Sequence, residues 1–328
     1  MRRPKWEGGI LNVHNFQFCS QFNLNFMLKS FIKKIFPNPF SGEYHIGFVC
    51  KDCINKISDW YRNVVWIDTN GYEKEGWFAD PFFYSVDDNE IVLLAEQLYY
   101  PINRGRLVKM TLDKQYKLLS VEPILTLDTH LSFPNVWREN NKIYVYPENY
   151  QGGALSIWEF DGYQMSNPKV LIPEPLIDSQ IVKLNNEYFI FAVKYQSGEW
   201  SDTQHLQIWK SSNLFGPYEH IQTISSSKNY ERGAGEIIVI DDKTIIRPAQ
   251  NCEGGYGKEV ILFKMTYDGI YFKEEELERI SPSTKSKYGE VLHTYNVMGR
   301  VCVIDGFTHY HRLWYKFLKK TIYRDKQV

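Results

Sequence analysis

One pattern recurs five times along the chain and limits what it can fold into: an apolar run, a polar turn and a second apolar run. The stretches are ADPFFYSVDDNEIVLLAEQ from Ala79, FPNVWRENNKIYVYPEN from Phe133, IDSQIVKLNNEYFIFAVK from Ile177, GAGEIIVIDDKTIIRPAQ from Gly233 and HTYNVMGRVCVIDGF from His293. Apolar runs separated by Asp/Asn-rich or Met-Gly-Arg turns read as β-hairpins. Further strand-like segments follow, such as Gly105–Thr111, Ala154–Phe160, Leu206–Lys210 and Val260–Thr266. Units of about 45 to 60 residues with four strands each have the pattern of β-propeller blades. Five units predict an all-β, five-bladed β-propeller. The segment ahead of the first hairpin, Tyr44–Cys50 with Val64–Ile67, is left to supply outer strands to the fifth blade and close the ring. A β-sandwich also has short strands, but it does not set polar residues at the same step of every unit.

The propeller is expected over residues 44–308, after an extension (1–43) and before a basic tail (309–328). Residues 1–26 are patternless, and Met27 has the look of a natural start. From there Leu28, Phe31, Ile32, Ile35 and Phe36 follow helical spacing, with Lys29, Lys33 and Lys34 between them. His311–Arg324 is similarly basic and aromatic. Short basic amphipathic helices are expected at both ends. They would pack on the domain with their lysines in water, or rest on an anionic membrane surface.

Composition removes several function classes. A net charge of −1 argues against nucleic-acid binding, which needs a basic footprint. The 16% aromatic content suits β-structure and also sugar binding. Five scattered cysteines do not form a secreted disulfide framework. Cys50-x-x-Cys53 lacks a second pair at zinc spacing, so neither metal nor cofactor is expected. No apolar run reaches about 18 residues, and the expected location is the cytoplasm, peripheral to a membrane at most.

In a propeller the first strand of each blade lines the axis, so its start and the end of the second strand converge at one mouth. The second strands of the first four hairpins begin at Ile91, Ile143, Phe189 and Ile245, and five residues later stand Glu96, Glu148, Lys194 and Gln250. The mouth is therefore expected to hold Asp80 and Glu96, Asn135 and Glu148, and Asp178 and Lys194. The fourth blade adds Glu236, Arg247 and Gln250, and the fifth His293 and Asn296. Two carboxylates there suit general acid and base work on a glycosidic bond, with a third charge tuning their pKa values. The same groups could instead form a ring of salt bridges that plugs the channel. Asn251–Gly257 is Gly-rich but lacks the ending of a phosphate loop, and reads as a rim loop able to approach a ligand closely.

The runs WFADPF, LSFPNV…YPE, IDSQ, GAGE…RPAQNCEGGYG and HTYN resemble the N-terminal propeller domain of the glucosamine inositolphosphorylceramide transferase family. The likeness extends from about Tyr44 to Phe307, and it implies a role in surface-polysaccharide or glycolipid synthesis. The plant form carries a separate glycosyltransferase domain, for which this chain has no room. More distantly, the fold resembles the five-bladed glycoside hydrolases acting on arabinose, xylose and fructose units. That likeness implies Asp80 as base, Asp178 as pKa modulator and Glu236 as acid, with Glu96 and Glu148 as rival acids. Glu236 sits two positions beyond the Asp80-equivalent site, on the same face but deeper. The expected function is hydrolysis or transfer of a glycosyl unit, with Glu96, Asn135, Glu148, Lys194, Arg247, Gln250, His293 and Asn296 binding substrate. The alternative is a non-catalytic glycan or glycolipid recognition module serving a partner glycosyltransferase.

Overall fold

The computed structural model describes residues 42–310 apart from Ile54, Asn70, 196–204, 226–228 and Gly254. These residues form five antiparallel four-stranded sheets. β1 (Gly42–Cys50) and β2 (Val64–Trp66) come first in the chain. Blade I is β3 (Gly76–Val86), β4 (Glu90–Tyr99), β5 (Arg104–Asp113) and β6 (Leu118–Leu125). Blade II is β7 (Ser132–Glu139), β8 (Lys142–Glu148), β9 (Leu155–Phe160) and β10 (Met165–Ile172). Blade III is β11 (Leu176–Leu184), β12 (Glu187–Lys194), β13 (His205–Ser211) and β14 (Glu219–Ser225). Blade IV is β15 (Ile238–Val239), β16 (Thr244–Asn251), β17 (Glu259–Tyr267) and β18 (Phe272–Ile280). Blade V starts with β19 (Tyr295–Met298) and β20 (Val301–His309) and is completed by β1 and β2. β1 pairs β20 from Gly42↔His309 to Cys50↔Val301, so the two ends of the described chain share one blade and close the ring. The basic amphipathic helices expected around Met27–Phe36 and beyond His311 lie outside the described residues.

Local chemistry sets the hairpins. Asn140–Asn141 and Asn185–Asn186 all have positive φ, the geometry of a two-residue turn whose twist matches the flanking strands. Asp87 closes the blade I turn by accepting the N–H groups of Asn89 and Glu90 at 2.7 and 3.0 Å. Burial follows position in the blade. β4 and β12 are buried on both faces for most of their length, because inner strands lie between neighbouring sheets. The outermost β10 and β18 are largely exposed and polar.

The core is divided among the gaps between blades. Phe48, Phe78, Leu93 and Val303 pack blade V on blade I, and Phe82, Leu94, Phe133 and Val145 pack I on II. Tyr146, Ile157, Ile181 and Ile190 join II to III, and Phe189, Phe191, Ile245 and Ile261 join III to IV. Val260, Ile280, Cys302 and Ile304 complete the circle from IV to V. Among the described residues no helix is long and apolar enough to cross a membrane.

The loop between β1 and β2 adds a clamp across the IV–V gap. Its short 3-10 helix, Ile57–Arg62, buries Trp60 completely, and the indole Nε1 donates to the Ser281 carbonyl at 3.0 Å. Trp60→Ala should therefore cost about 3–5 kcal/mol, as for other large-to-small core changes. Urea denaturation would show this as a lower midpoint at unchanged slope.

Candidate functional site: a charge-lined propeller mouth

Three inner strands break register at the same point. The pairing of β3 with β4 shifts between Ala79 and Phe82, that of β7 with β8 between Ser132 and Asn135, and that of β11 with β12 between Ile177 and Gln180. The residue entering each bulge is in the left-handed region: Asp80 at φ 48°, Phe133 at 48° and Asp178 at 46°. Such a conformation is costly for a side chain other than glycine and persists only where surroundings enforce it. Here each freed N–H is taken by a carboxylate of the preceding blade. Asp80 donates to Asp305 of blade V, Phe133 to Asp80 of blade I, and Asp178 to Glu148 of blade II, each at 3.1 Å.

Around this ring the side chains form two charge clusters and a flanking pair. In the first cluster, His293 Nδ1 lies 2.7 Å from Asp305 and its Nε2 lies 3.7 Å from Asp80. The Thr294 hydroxyl donates to Asp80 at 2.7 Å, and the Thr294 N–H to Asp305 at 2.9 Å. In the second, Arg232 Nε donates to Asp178 at 2.6 Å, with Glu148 3.6 Å from the same guanidinium. The Gln250 amide also donates to Asp178, at 2.9 Å. The flanking pair is Glu96 with His130, at 3.2 Å.

Burial governs the electrostatics. It pushes the Asp80 carboxyl up to about 7, against the pull of His293 and with help from the charges of Glu96, Asp305 and Asp178. Burial opposes protonation of His293, yet the carboxylates of Asp305 and Asp80 outweigh it and lift the imidazole to about 9. Burial and the Asp178 charge also raise Glu148, with Arg232 holding it back.

The sequence-predicted residues divide into three groups. Asp80, Asp178, Glu148, Gln250 and His293 meet in the clusters just described, with Glu96 beside Asp80. Asn135 stands two residues past Phe133 at the blade II bulge, while Glu236 and Asn296 lie together where blades IV and V begin. There Asn296 accepts from the Glu236 N–H at 2.6 Å and donates to the Pro81 carbonyl at 2.8 Å. Burial raises the Glu236 carboxyl, and Arg138 pulls it back.

Lys194 and Arg247 do not join the carboxylates. Lys194 pairs Leu176, one step past the Val193–Ile177 pair that corresponds to Glu96–Ala79. A single step along a strand turns the side chain to the other face, and Lys194 instead meets Glu174 at 2.7 Å with 41% of its side chain exposed. Arg247 is buried inside blade IV, bonded to Glu274 at 3.0 Å and to the carbonyls of Tyr230 and Glu231.

Several central residues were not anticipated from sequence. Arg232, not Arg247, is the arginine paired with the mouth acids, and it precedes the fourth hairpin rather than lying inside it. Asp305 is fully buried in β20; a carboxylate inside the apolar run Val-Cys-Val-Ile-Asp was a readable sign of a partnered buried charge. In the Gly-rich loop Gly257 has φ +53°, and a Cβ there would come within 2.6 Å of the His293 Cβ. Tyr256 sets its ring edge-on to His293 at 5.6 Å and beneath the Arg232 guanidinium at 4.8 Å. Tyr44 stacks on His293 at 4.6 Å. Asp80, His293 and Asp305 present donor atoms within 4.8 Å of one another, a grouping able to hold a metal ion, and here those atoms bond to each other and to Thr294. Cys50, Cys53, Cys252 and Cys302 are free thiols.

The fold and mouth together define a five-bladed β-propeller in which buried acids of neighbouring blades are paired with Arg232 and His293. The sequence profile described as glucosamine inositolphosphorylceramide transferase 1, N-terminal, matches residues 66–298, and the chain belongs to that family. Glucosamine inositolphosphorylceramide transferase 1 of Oryza sativa subsp. japonica is 30% identical over 203 residues, which are 60% of this chain and 27% of the rice protein. The Arabidopsis thaliana protein of the same name is 26% identical over 218 residues, 64% of this chain and 28% of that protein. The chain thus spans little more than a quarter of these relatives. An alpha-L-arabinofuranosidase from Podospora anserina, solved with cellotriose, superposes at TM-score 0.52 and 11% identity over 74% of this chain and 93% of that one. That likeness is one of fold.

Arg232→Gln should destabilise the protein by about 3–5 kcal/mol near neutral pH, since it leaves the Asp178 and Glu148 carboxylates buried without their cation. Burial raises the Glu148 carboxyl above its ordinary value when folded, so the loss should shrink as pH falls toward the ordinary carboxylate range. Denaturation at pH 5 and pH 8 would show the difference. In the wild type, Asp80 (raised from 3.8 to about 7) and His293 (raised from 6.5 to about 9) both bind protons more tightly when folded. Their stabilising contributions are complete in acid and decline as pH climbs through about 4–7 and then about 6.5–9. A titration of Tm over that range would test the slope.

Proposed function

We propose that this propeller is a carbohydrate-active domain of surface-polysaccharide or glycolipid synthesis that binds a glycosyl unit at the mouth for a separate glycosyltransferase. The observation that carries the reading is the locking of the mouth carboxylates onto internal cations: Asp178 and Glu148 on Arg232, Asp80 and Asp305 on His293. A fixed array of donors and acceptors beneath Tyr44 and Tyr256 suits a ligand with many hydroxyls and apolar ring faces. Ring closure alone does not call for these charges, because apolar clusters already fill every gap between blades. The relatives' name, glucosamine inositolphosphorylceramide transferase, agrees with a sugar-bearing lipid or its glycosyl donor as ligand.

A second reading, hydrolysis or transfer by the propeller itself, is favoured by Asp80. A carboxyl held at about 7 can exchange a proton at neutral pH. In that reading Asp80 is base, Asp178 its modulator and Glu236 the acid, the last also raised by burial.

Glycan-array and nucleotide-sugar binding, with mass spectrometry of any bound glycan, separates the two. We expect binding without product, weakened about ten- to hundredfold in Asp80→Asn, which keeps an acceptor for the Phe133 N–H but loses the charge. Product that disappears in Asp80→Asn while binding persists would establish the enzymatic reading. Absence of binding by the wild type would sink both.

The basic stretches Met27–Phe36 and His311–Arg324 point to peripheral contact with the anionic, cytoplasmic face of a membrane. Co-sedimentation with phosphatidylserine vesicles should therefore be lost when Lys29, Lys33 and Lys34 are changed to Gln; vesicle binding unaffected by these changes would contradict it.

A further inference from the structure

Side-chain amides on the inner strands reach backbone carbonyls of the next blade. Gln180 of β11 donates to the carbonyls of Gly235, just ahead of β15, and of Pro248 in β16, at 2.7 and 3.0 Å. Asn296 of β19 donates to the Pro81 carbonyl of β3 at 2.8 Å. Between blades I and II the contact is apolar, with Phe82 edge-on to Phe133 at 4.8 Å. Between blades II and III there is an amide but no such bond. Asn135 pairs with Tyr146 and so shares its face, the one packed on blade III. The Val136 N–H donates to Asn135 Oδ1 at 2.9 Å, which fixes the way the amide is turned. Asn135 Nδ2 has no hydrogen-bond partner among the described residues, and neither has the Ser179 hydroxyl; the two residues are 1% and 3% exposed. Ser179 follows the left-handed Asp178 in blade III as Pro81 follows the left-handed Asp80 in blade I. It therefore stands where, one boundary round the ring, an amide finds its acceptor.

Buried N–H and O–H groups in folded proteins are satisfied by other protein groups or by ordered water. A group set between these two must accept from the Asn135 amide, while the Ser179 hydroxyl can donate to it or accept from it. A cation would be repelled by the amide hydrogens. An anion would lie beside Asp178, whose carboxylate already shares Arg232 with Glu148. A neutral molecule that both donates and accepts fits the pair and needs no counter-charge.

We propose that a single buried water bridges Asn135 Nδ2 to Ser179 at the boundary of blades II and III. It is a second tie from blade II to the bulge that carries Asp178, beside the Glu148 carboxylate that takes the Asp178 N–H at 3.1 Å. Asn135 thereby serves the spacing of two blades under the mouth acids rather than contact with a ligand.

The test is a crystal structure of the full chain at about 1.5 Å, with parallel crystals soaked in rubidium bromide, beside urea denaturation of two variants. Wild type should show one density peak at hydrogen-bond distance, about 2.7–3.2 Å, from Asn135 Nδ2 and Ser179 Oγ, with no anomalous signal from rubidium or bromide there. Asn135→Gln is one methylene longer. It should displace the water and donate directly to the Ser179 carbonyl, as Gln180 does to Gly235, and leave the unfolding constant within about threefold of wild type. Ser179→Ala removes a partner and should raise the unfolding constant about tenfold. Wild-type crystals without the peak, an anomalous signal at the site, or a peak that stays in place in Asn135→Gln would overturn the bridge. Should Asn135→Gln not fold, the wild-type crystals and Ser179→Ala still decide it, since an unfolding constant unchanged in Ser179→Ala would also overturn it.

Discussion

The propeller depends on a carboxylate that reaches across a blade boundary to a backbone N–H which its own strand has released. The exchange occurs between blades V and I, I and II, and II and III, through Asp305, Asp80 and Glu148 in turn. It needs a residue in the left-handed region to turn the N–H out of its ladder, and an acid to receive it. Neither element is stable alone: an unpaired left-handed residue is strained, and a buried carboxylate without donors is poorly solvated. Together they make a clasp. The apolar clusters supply the bulk of packing between blades but are non-directional, so the clasps add a directional link at three of the blade boundaries.

The same groups form the candidate site, and this double use shapes its chemistry. Asp80 receives the Phe133 N–H on one oxygen and the Thr294 hydroxyl on the other, so its position is settled before any ligand arrives. Asp178 is similarly held by Arg232 and Gln250. Preorganisation of this kind favours recognition of a rigid, many-hydroxylated ligand. It also leaves few oxygens free for proton transfer, which is why the binding reading leads. Asp80 is the point where the two readings meet, because burial holds its proton near neutrality while its neighbours hold its geometry.

Much of this was legible in sequence because hairpin chemistry is local. The paired asparagines at 140–141 and 185–186 and the Asp87 turn announce their conformations through their own side chains. The spare segment Tyr44–Ile67 was legible as the missing outer strands of the fifth blade, and β1 and β2 lie there. Asp80, Asp178, Glu148 and His293 were legible as candidates because charges in apolar strands are expensive unless partnered. Lys194 was misplaced for an equally local reason. Counting from the first apolar residue of its strand gave the wrong parity by one, and only the cross-strand register to Ile177 reveals it.

The sequence by itself therefore determined the repeat, the turns, the fold class and the identity of most of the acids, since each rests on side-chain pattern and short-range backbone preference. The tertiary structure alone decided which cation neutralises which acid. Arg232 and Arg247 are only 15 positions apart and are both arginines. One pairs with Asp178 and Glu148, and the other with Glu274 inside blade IV. Tyr44, from the strand farthest in sequence from His293, became its stacking partner through ring closure. Pairings of this kind depend on the distance and direction between segments tens to hundreds of residues apart, and no periodicity along the chain encodes them.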